Sequence, residues 1–182
     1  MQKSPLNFGI ISLVRRNHGL EHATINLLAS KIPGSSFAGY SDHKGFWIIG
    51  DISTDLLLET AQQALTRMKG GERGLAINAN CGTNYVVAGL LAGSLAWLAT
   101  LGSGNSFKKR LDRWPLLVML VTGSMVVAQP LGPKVQEKVT TSGEPGDLTV
   151  KQIVRYERSL PGKPVLHRIL TGDVVRAVEE TA

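Results

Sequence analysis

The sequence predicts an α+β fold in which a small soluble αββαβ unit and a C-terminal β-hairpin are interrupted by a two-helix transmembrane hairpin. Residues 12–32 repeat apolar side chains at helical spacing, and short alternating segments near both ends of the chain are typical of strands. Residues 84–132 contain two charge-free stretches of bilayer-spanning length. We therefore expect three sections, with residues 133–182 packing against residues 1–83.

The N-terminal section begins with the helix over residues 12–32, which Pro33 and Gly34 end. Two short strands, residues 35–40 and 45–50, follow around a polar turn. Both strands are expected to join the sheet on which the first helix packs.

A second helix is predicted from Ser53 to Lys69. Ser53 suits the N-cap because its hydroxyl can accept a hydrogen bond from the first turn, and Gly70 and Gly71 stop the helix. Residues 74–78 are predicted to form a third strand, which completes the αββαβ order.

Two stretches without charge, residues 85–101 and 114–131, predict membrane-spanning helices. Each is close to the roughly 20 residues that a bilayer requires. Tyr85 and Trp114 stand at their ends, where interfacial aromatic residues are common. The alternative is a buried helical hairpin of a soluble protein. We expect an integral membrane protein with the lipid bilayer as a partner.

The linker between these stretches, residues 102–113, is short and basic, and the positive-inside rule places it in the cytoplasm. Residues 1–80 contain no convincing signal peptide, which makes export of the N-terminal section hard to arrange. The two arguments conflict, so sidedness stays open. Both termini are expected on the same side because the hairpin returns the chain.

The sequence pattern of the C-terminal section predicts a β-hairpin. Residues 133–147 are polar and form either a linker or a loop that contacts substrate. Residues 148–156 alternate as a strand does, and a Pro-Gly turn leads to a second strand over residues 164–170. A short helix over residues 172–180 is predicted to end the chain.

The first helix carries a His-x-x-Glu-His motif at His18, Glu21 and His22. Residues four apart share one face of a helix, so His18 and His22 can aim two imidazoles at a single Zn²⁺ ion. Glu21 lies beside His22, and its carboxylate can reach a water on that metal as a catalytic base. Inverzincin metallopeptidases use this order of residues.

The motif falls on the face of the helix that should pack inward, whereas Gly19 and Asn26 fall elsewhere. Burying two imidazoles and a carboxylate without partners is costly, and a metal would satisfy all three groups. The alternatives are a hydrogen-bonded His–Glu core cluster and a partly exposed polar helix end.

A third metal ligand is needed, because a catalytic zinc site normally has three protein ligands and a water. Cys81, the single cysteine, is the first choice on ligand chemistry, although a lone cysteine is more often a small buried apolar residue. The other candidates are His43, His167, Glu59 and Glu144. Turn chemistry favours an exposed His43, and Glu59 faces away from the apolar stripe of its helix.

The net charge of +6 is scattered along the chain. Since no basic face with interleaved aromatic residues appears, we expect no nucleic-acid partner. The sequence does not define an oligomeric state.

The residues predict a membrane-bound zinc metallopeptidase or related hydrolase acting on a peptide or protein substrate. Glu21 would take a proton from the zinc-bound water, whose pKa the metal lowers to about 7. The alternative is a non-catalytic membrane protein, a structural or assembly factor, with a His/Glu core cluster or a structural metal. A closed site with four ligands would favour that alternative.

Four blocks of the sequence resemble those of an uncharacterised family of small bacterial membrane proteins, which we associate with cyanobacteria and Chloroflexus-like bacteria. The blocks are residues 17–24 (NHGLEHAT), 46–54, 80–84 (NCGTN) and 128–133. The resemblance implies two membrane helices and supplies no activity, substrate or ligand set.

Overall fold

The computed structural model describes residue 6 and residues 9–101, 107–156 and 165–173. The chain divides into two compact units, which we call the sheet unit (Met1–Asn78 with Glu137–Ala182) and the helical unit (Ala79–Gln136). The predicted C-terminal helix over residues 172–180 is wrong at its start, because Gly172 and Asp173 belong to the last strand. The rest of that helix, from residue 174 onward, and the Pro-Gly turn before the last strand lie outside the described residues.

Helix α1 spans Gly9–Lys31 and begins earlier than the predicted 12–32. Its middle is buried on every side, because residues 19–24 are buried without a break. A helix that only rested on a sheet would bury a single stripe. Gly19 is therefore enclosed, and Asn26 is half-buried, although the helical period places both residues away from the inward face.

Strands β1 (Ala38–Asp42) and β2 (Gly45–Ile49) form an antiparallel hairpin with a two-residue loop. The Lys44 N–H donates to Asp42 Oδ1 at 2.7 Å and closes the loop. Gly45 has a φ of 145°, and a Cβ there would overlap a carbonyl of a neighbouring strand. The tight hairpin thus requires glycine at this position.

Helix α2 spans Thr54–Lys69 and confirms the predicted second helix. Ser53 Oγ accepts a hydrogen bond from the Leu56 N–H at 3.3 Å. The Gly70 N–H donates to Thr66 O at 2.9 Å and ends the helix. Both caps are the ones that the local sequence indicates.

The predicted third strand over residues 74–78 is wrong. Arg73–Ala76 form a 3₁₀ turn. Carbonyls that a strand would offer to its neighbour accept hydrogen bonds from α1 instead, because Asn26 Nδ2 donates to Leu75 O at 3.0 Å and to Ile77 O at 2.9 Å. Since these side-chain bonds satisfy the backbone, the segment needs no sheet partner.

Strands β3 (Leu148–Tyr156) and β4 (Leu166–Asp173) complete one antiparallel sheet of order β1-β2-β4-β3. Strand β2 pairs with β4, so the N-terminal and C-terminal sections share the sheet, as predicted. Helices α1 and α2 pack against the sheet over its apolar core. The largest fully buried apolar side chains are Phe46, Leu20, Leu28, Ile48, Leu57, Leu148 and Ile169.

The helical unit consists of helices α3 (Gly82–Thr100), α4 (Phe107–Leu111) and α5 (Trp114–Val135), of which α3 and α5 pack on each other. A π-helical turn over Gln136–Thr140 follows α5. Both long helices are apolar and long enough to span a membrane, and only 6% and 17% of their most apolar windows are buried. Length and composition therefore agree with the predicted spans.

Arg113 caps the end of α3 within the helical unit. Its Nη1 donates to Ala99 O at 2.8 Å and to Leu101 O at 2.7 Å. A cation at a helix C-terminus satisfies the last carbonyls and opposes the helix dipole. One basic residue of the linker thus has a structural role at the turn between the two long helices.

Candidate metal site

His18 and His22 lie on successive turns of α1 with their rings edge to face. The ring centroids are 4.3 Å apart, and the planes are inclined by 62°. A nitrogen of one ring lies within 4.8 Å of a nitrogen of the other. Two imidazole ligands of one tetrahedral zinc ion have nitrogens roughly 3.3 Å apart. The nitrogens of the two rings would therefore have to approach each other by up to about 1.5 Å to bind one ion.

Each of these imidazoles has a backbone partner at Nδ1. His18 Nδ1 lies 2.9 Å from Thr140 O, and His22 Nδ1 lies 2.8 Å from Ala76 O. A carbonyl oxygen can only accept, so both Nδ1 atoms donate, and the lone pair of each neutral ring is on Nε2. Metal-binding histidines in proteins adopt this arrangement, with the second ring nitrogen bonded to a carbonyl or carboxylate.

The Ala76 carbonyl is held in place by α1 itself. Asn26 Nδ2 binds the carbonyls on either side of it, at Leu75 and Ile77. Asn26 Oδ1 in turn accepts from Asn78 Nδ2 at 3.0 Å. The acceptor of His22 is therefore part of a fixed segment.

The segment that follows Thr140 is also fixed to α1. The Ser142 N–H donates to Arg15 O at 2.9 Å. The Ser142 carbonyl lies against Gly19, where a Cβ would overlap it. Glycine between the two histidines thus permits the close approach that supplies the acceptor of His18.

Glu21 is only 3% exposed, and its carboxylate faces β1. Ser41 Oγ donates to Glu21 Oε2. A Cβ at Gly39 would overlap the same carboxylate, so β1 passes close to it. Glu21 connects α1 to β1, whereas the two imidazoles bond to the carbonyls of Ala76 and Thr140.

Cys81, the predicted third ligand, belongs to the helical unit. It occupies the N-cap position of α3, where its Sγ accepts from the Thr83 N–H at 3.4 Å. The role of Cys81 as a metal ligand stays a prediction, as does the catalytic role of Glu21.

Three of the other candidate ligands lie at the surface. His43 is exposed in the loop between β1 and β2, as its turn context predicts. Glu59 pairs with Lys31 at 2.9 Å, and Glu144 pairs with Arg73 at 2.6 Å. Both acids therefore have cationic partners of their own.

His167 is buried in β4 and faces α2, where its Nε2 lies 3.2 Å from Thr54 Oγ1. Its Nδ1 has no hydrogen-bond partner among the described residues. Burial, and then the positive charge of Arg155, lower the pKa of His167 from its ordinary 6.5. The structure thus makes His167 a neutral core residue near pH 7.

Asn17 is a site neighbour that the sequence analysis missed. It is fully buried, and its Nδ2 donates to Asp42 O at 2.8 Å. Its Oδ1 accepts from Thr171 Oγ1 at 2.7 Å. Asn17 and Glu21 are four residues apart, so both face β1. Two polar side chains at helical spacing are the sequence signal that could have predicted this contact with β1. The carbonyl acceptors of the imidazoles had no such signal.

Asp42 also connects β1 to β4 across the sheet. Arg168 Nη2 donates to Asp42 Oδ1 at 2.7 Å, and its guanidinium carbon lies 5.0 Å from the centroid of the Trp47 ring. Burial raises the pKa of Asp42, but the hydrogen bonds from Arg168 and the Lys44 N–H and the charge of Arg168 outweigh it. The pKa of Asp42 is therefore lowered from 3.8.

These features define a mixed helix-and-sheet protein with a histidine pair on its first helix and two helices long enough to span a membrane. The chain belongs to the DUF6391 family, a domain of unknown function whose sequence profile matches residues 13–153. The predicted membership of an uncharacterised bacterial family is thus confirmed.

A curated relative is an uncharacterized protein from Picosynechococcus sp. (strain ATCC 27264 / PCC 7002 / PR-6). The two sequences are 30% identical over 147 residues, which cover 71% of this chain and 66% of the relative. The match thus spans just under two thirds of the relative's own length. No solved structure matches this chain.

Proposed function

We propose that this chain is a membrane-anchored zinc-binding protein in which His18 and His22 bind the ion through Nε2. The observation that carries the proposal is the pair of hydrogen bonds from the two Nδ1 atoms to Ala76 O and Thr140 O. These bonds select the tautomer that binds metal, and they hold both rings on one side of α1. Imidazole nitrogen is a common ligand of Zn²⁺.

Cys81 is the proposed third ligand. Thiolate sulfur binds zinc well. Cys81 follows Ala76, the acceptor of His22, by five positions in the sequence, which limits the distance between their Cα atoms to at most about 18 Å. A fourth protein ligand would make the site structural, and a water there would leave it open to substrate.

The proposed anchor consists of α3 and α5, which would span the bilayer and leave both termini on one side. Large apolar side chains at Leu90, Trp97, Val118 and Met119 are exposed on these helices and support the proposal. Many large apolar side chains exposed on two helices are unfavourable in water and suit a lipid environment.

Metal content tests the zinc proposal most directly. Full-length protein would be purified in mild detergent and analysed by elemental mass spectrometry. We expect about one zinc per chain in the wild type, none in the His18→Ala/His22→Ala variant and reduced occupancy in Cys81→Ser. His43→Ala is the matched control, because His43 is exposed in a loop and should leave zinc unchanged. Wild-type protein without zinc, or equal zinc in the double variant, would contradict the proposal.

A zinc-dependent peptidase or related hydrolase is the second candidate, favoured by the buried carboxylate of Glu21 next to His22. Zinc, when bound, would supply polarisation of the scissile carbonyl. Glu21 would accept a proton from the attacking water and return it to the leaving amine as the C–N bond breaks. For this chemistry the carboxylate must exchange its contact with Ser41 for the water.

Glu21→Gln separates the two candidates. A hydrolase requires that the variant keep zinc and lose cleavage of a labelled peptide library by protein in lipid vesicles. Equal cleavage by both proteins would exclude Glu21 as the base. Loss of zinc from Glu21→Gln would indicate that Glu21 positions α1 rather than acting in catalysis.

A further inference from the structure

A polar cleft of about 310 Å³ lies in the sheet unit next to the segments that carry Ala76 and Thr140. Its walls come from α1, from the 3₁₀ turn and the residues after it, and from the segment that follows α5. The volume is at the small end of the range of roughly 300–1,000 Å³ typical of ligand pockets, so a small ligand fits best.

The lining contains equal numbers of basic and acidic residues. Two basic residues, Arg15 and Arg73, and two acidic residues, Glu137 and Glu144, are among those that line the cleft. A ligand with one net charge would meet as much repulsion as attraction from this set. A ligand that carries both an anionic and a cationic group matches it.

The walls are preformed. Arg15 O accepts from the Ser142 N–H at 2.9 Å, and Arg15 Nη2 donates to Lys138 O at 3.2 Å. Gly143 lies against Arg73, because a Cβ at Gly143 would come within 2.7 Å of Arg73 Cβ. A cleft whose walls are already ordered loses little conformational entropy when it binds a ligand.

An ion pair forms part of the lining. Arg73 Nη2 lies 2.6 Å from Glu144 Oε1, and the two side chains are 69% and 67% exposed. Such exposed pairs are weak, so a ligand that offers a carboxylate to Arg73 and an ammonium to Glu144 can replace the pair. A ligand with only one of these groups would leave one partner without its counter-ion.

We propose that this cleft binds a small zwitterion, either a free α-amino acid or a short peptide. The ligand's carboxylate binds Arg73, and its ammonium group binds Glu144. The proposal does not rest on zinc, because the zinc proposal uses His18, His22 and Cys81, and the cleft proposal uses Arg73 and Glu144.

Calorimetric titration of full-length protein in mild detergent tests the proposal with three probes. They are the dipeptide Ala-Ala, its N-acetyl form, which lacks the ammonium, and its amide, which lacks the carboxylate. We expect Ala-Ala to bind about two- to fivefold more tightly than either blocked form, since each blocked form loses one exposed ion pair. No saturable binding of Ala-Ala, or equal binding of all three probes, would overturn the proposal.

Two variants test which cleft residue binds the carboxylate of the ligand and which binds its ammonium group. Arg73→Gln should weaken Ala-Ala binding by about two- to fivefold and abolish the preference over the amide. Glu144→Gln should abolish the preference over the N-acetyl form. Arg67→Gln is the matched control, because Arg67 forms another exposed ion pair, with Glu72, and does not line the cleft. Equal losses in Arg67→Gln and Arg73→Gln would overturn the assignment.

The titrations are repeated after removal of metal with a chelator and after loading with Zn²⁺. Binding of Ala-Ala both without metal and with Zn²⁺ supports the proposal that the cleft is the binding site. Binding that requires zinc would place the ligand at the histidine pair instead and overturn the cleft proposal. Absence of zinc from the purified protein would contradict only the zinc proposal.

Discussion

Asn17 Oδ1 accepts a hydrogen bond from Thr171 Oγ1 at 2.7 Å, although the two residues are 154 positions apart in the sequence. The other end of the same amide donates to Asp42 O at 2.8 Å. One side chain of α1 therefore binds the end of β1 and the end of β4.

Asn17→Ala should lower the free energy of unfolding by about 1–3 kcal/mol, because it leaves buried polar groups without partners. The measurement is denaturant unfolding of the full chain in mild detergent. A double-mutant cycle with Thr171→Val should show losses that do not add, and Thr171→Ser, which keeps the hydroxyl, is the control. Fully additive losses would show that the two side chains are not coupled.

Gly19→Ala should destabilise the protein, even though alanine is the better helix former by about 1 kcal/mol. Its Cβ would overlap the Ser142 carbonyl, and relieving that overlap should cost about 1–3 kcal/mol. Thermal unfolding measures the effect. Ser30→Ala, at an exposed position of α1, is the control and should change little. An increase in stability in Gly19→Ala would contradict the close approach.

Ser41→Ala should destabilise the protein by about 1–3 kcal/mol, because the buried Glu21 side chain loses a hydroxyl donor. The same change should cost less in a Glu21→Gln background, where the partner of Ser41 is an amide. Chemical denaturation of the four proteins gives the coupling energy. If Ser41→Ala costs the same in both backgrounds, Ser41 does not stabilise the carboxylate.

Stability should fall at mildly acidic pH because of His167. Burial, followed by the charge of Arg155, holds the pKa of His167 below 6.5 in the folded protein. Between the folded and unfolded pKa values the unfolded chain binds more protons, so the free energy of unfolding decreases as pH falls below 6.5. The decrease ends once the pH lies below the folded pKa.

His167→Gln removes the part of the pH dependence of stability that His167 causes. Denaturant unfolding at about pH 7.5 and about pH 5.5 should therefore show a smaller loss in the variant than in the wild type. His43→Gln, at an exposed loop position, should behave like the wild type. An identical loss in His167→Gln would show that other groups cause the pH dependence.

Elements with local signals could be predicted from the sequence. Helix α2 has its serine cap and glycine stop within the sequence that forms it, and strand β3 shows its alternation over Leu148–Tyr156. These signals act between neighbours in the chain and need no tertiary contact. The His18–His22 pair also follows directly from helical spacing.

Features that depend on distant segments could not be predicted. Residues 74–78 alternate as a strand does, yet Asn26 of α1 satisfies their carbonyls, and nothing in the local sequence indicates this. The helical period places Gly19 away from the inward face, because it contains no information on the Ser142 carbonyl that packs against this glycine. The partner of Glu21 on β1 was missed for the same reason, since Ser41 lies in a different element.

The pairing of Gly45 with Leu170 and of Ile49 with Leu166 has a consequence for biosynthesis. During translation β2 emerges long before β4, and its outer edge keeps unpaired backbone groups while the helical unit is being made. A nascent chain interrupted before β4 would present this edge to other chains and aggregate. We therefore expect the sheet to close only after β4 has been synthesised, when the apolar helices have already left the ribosome.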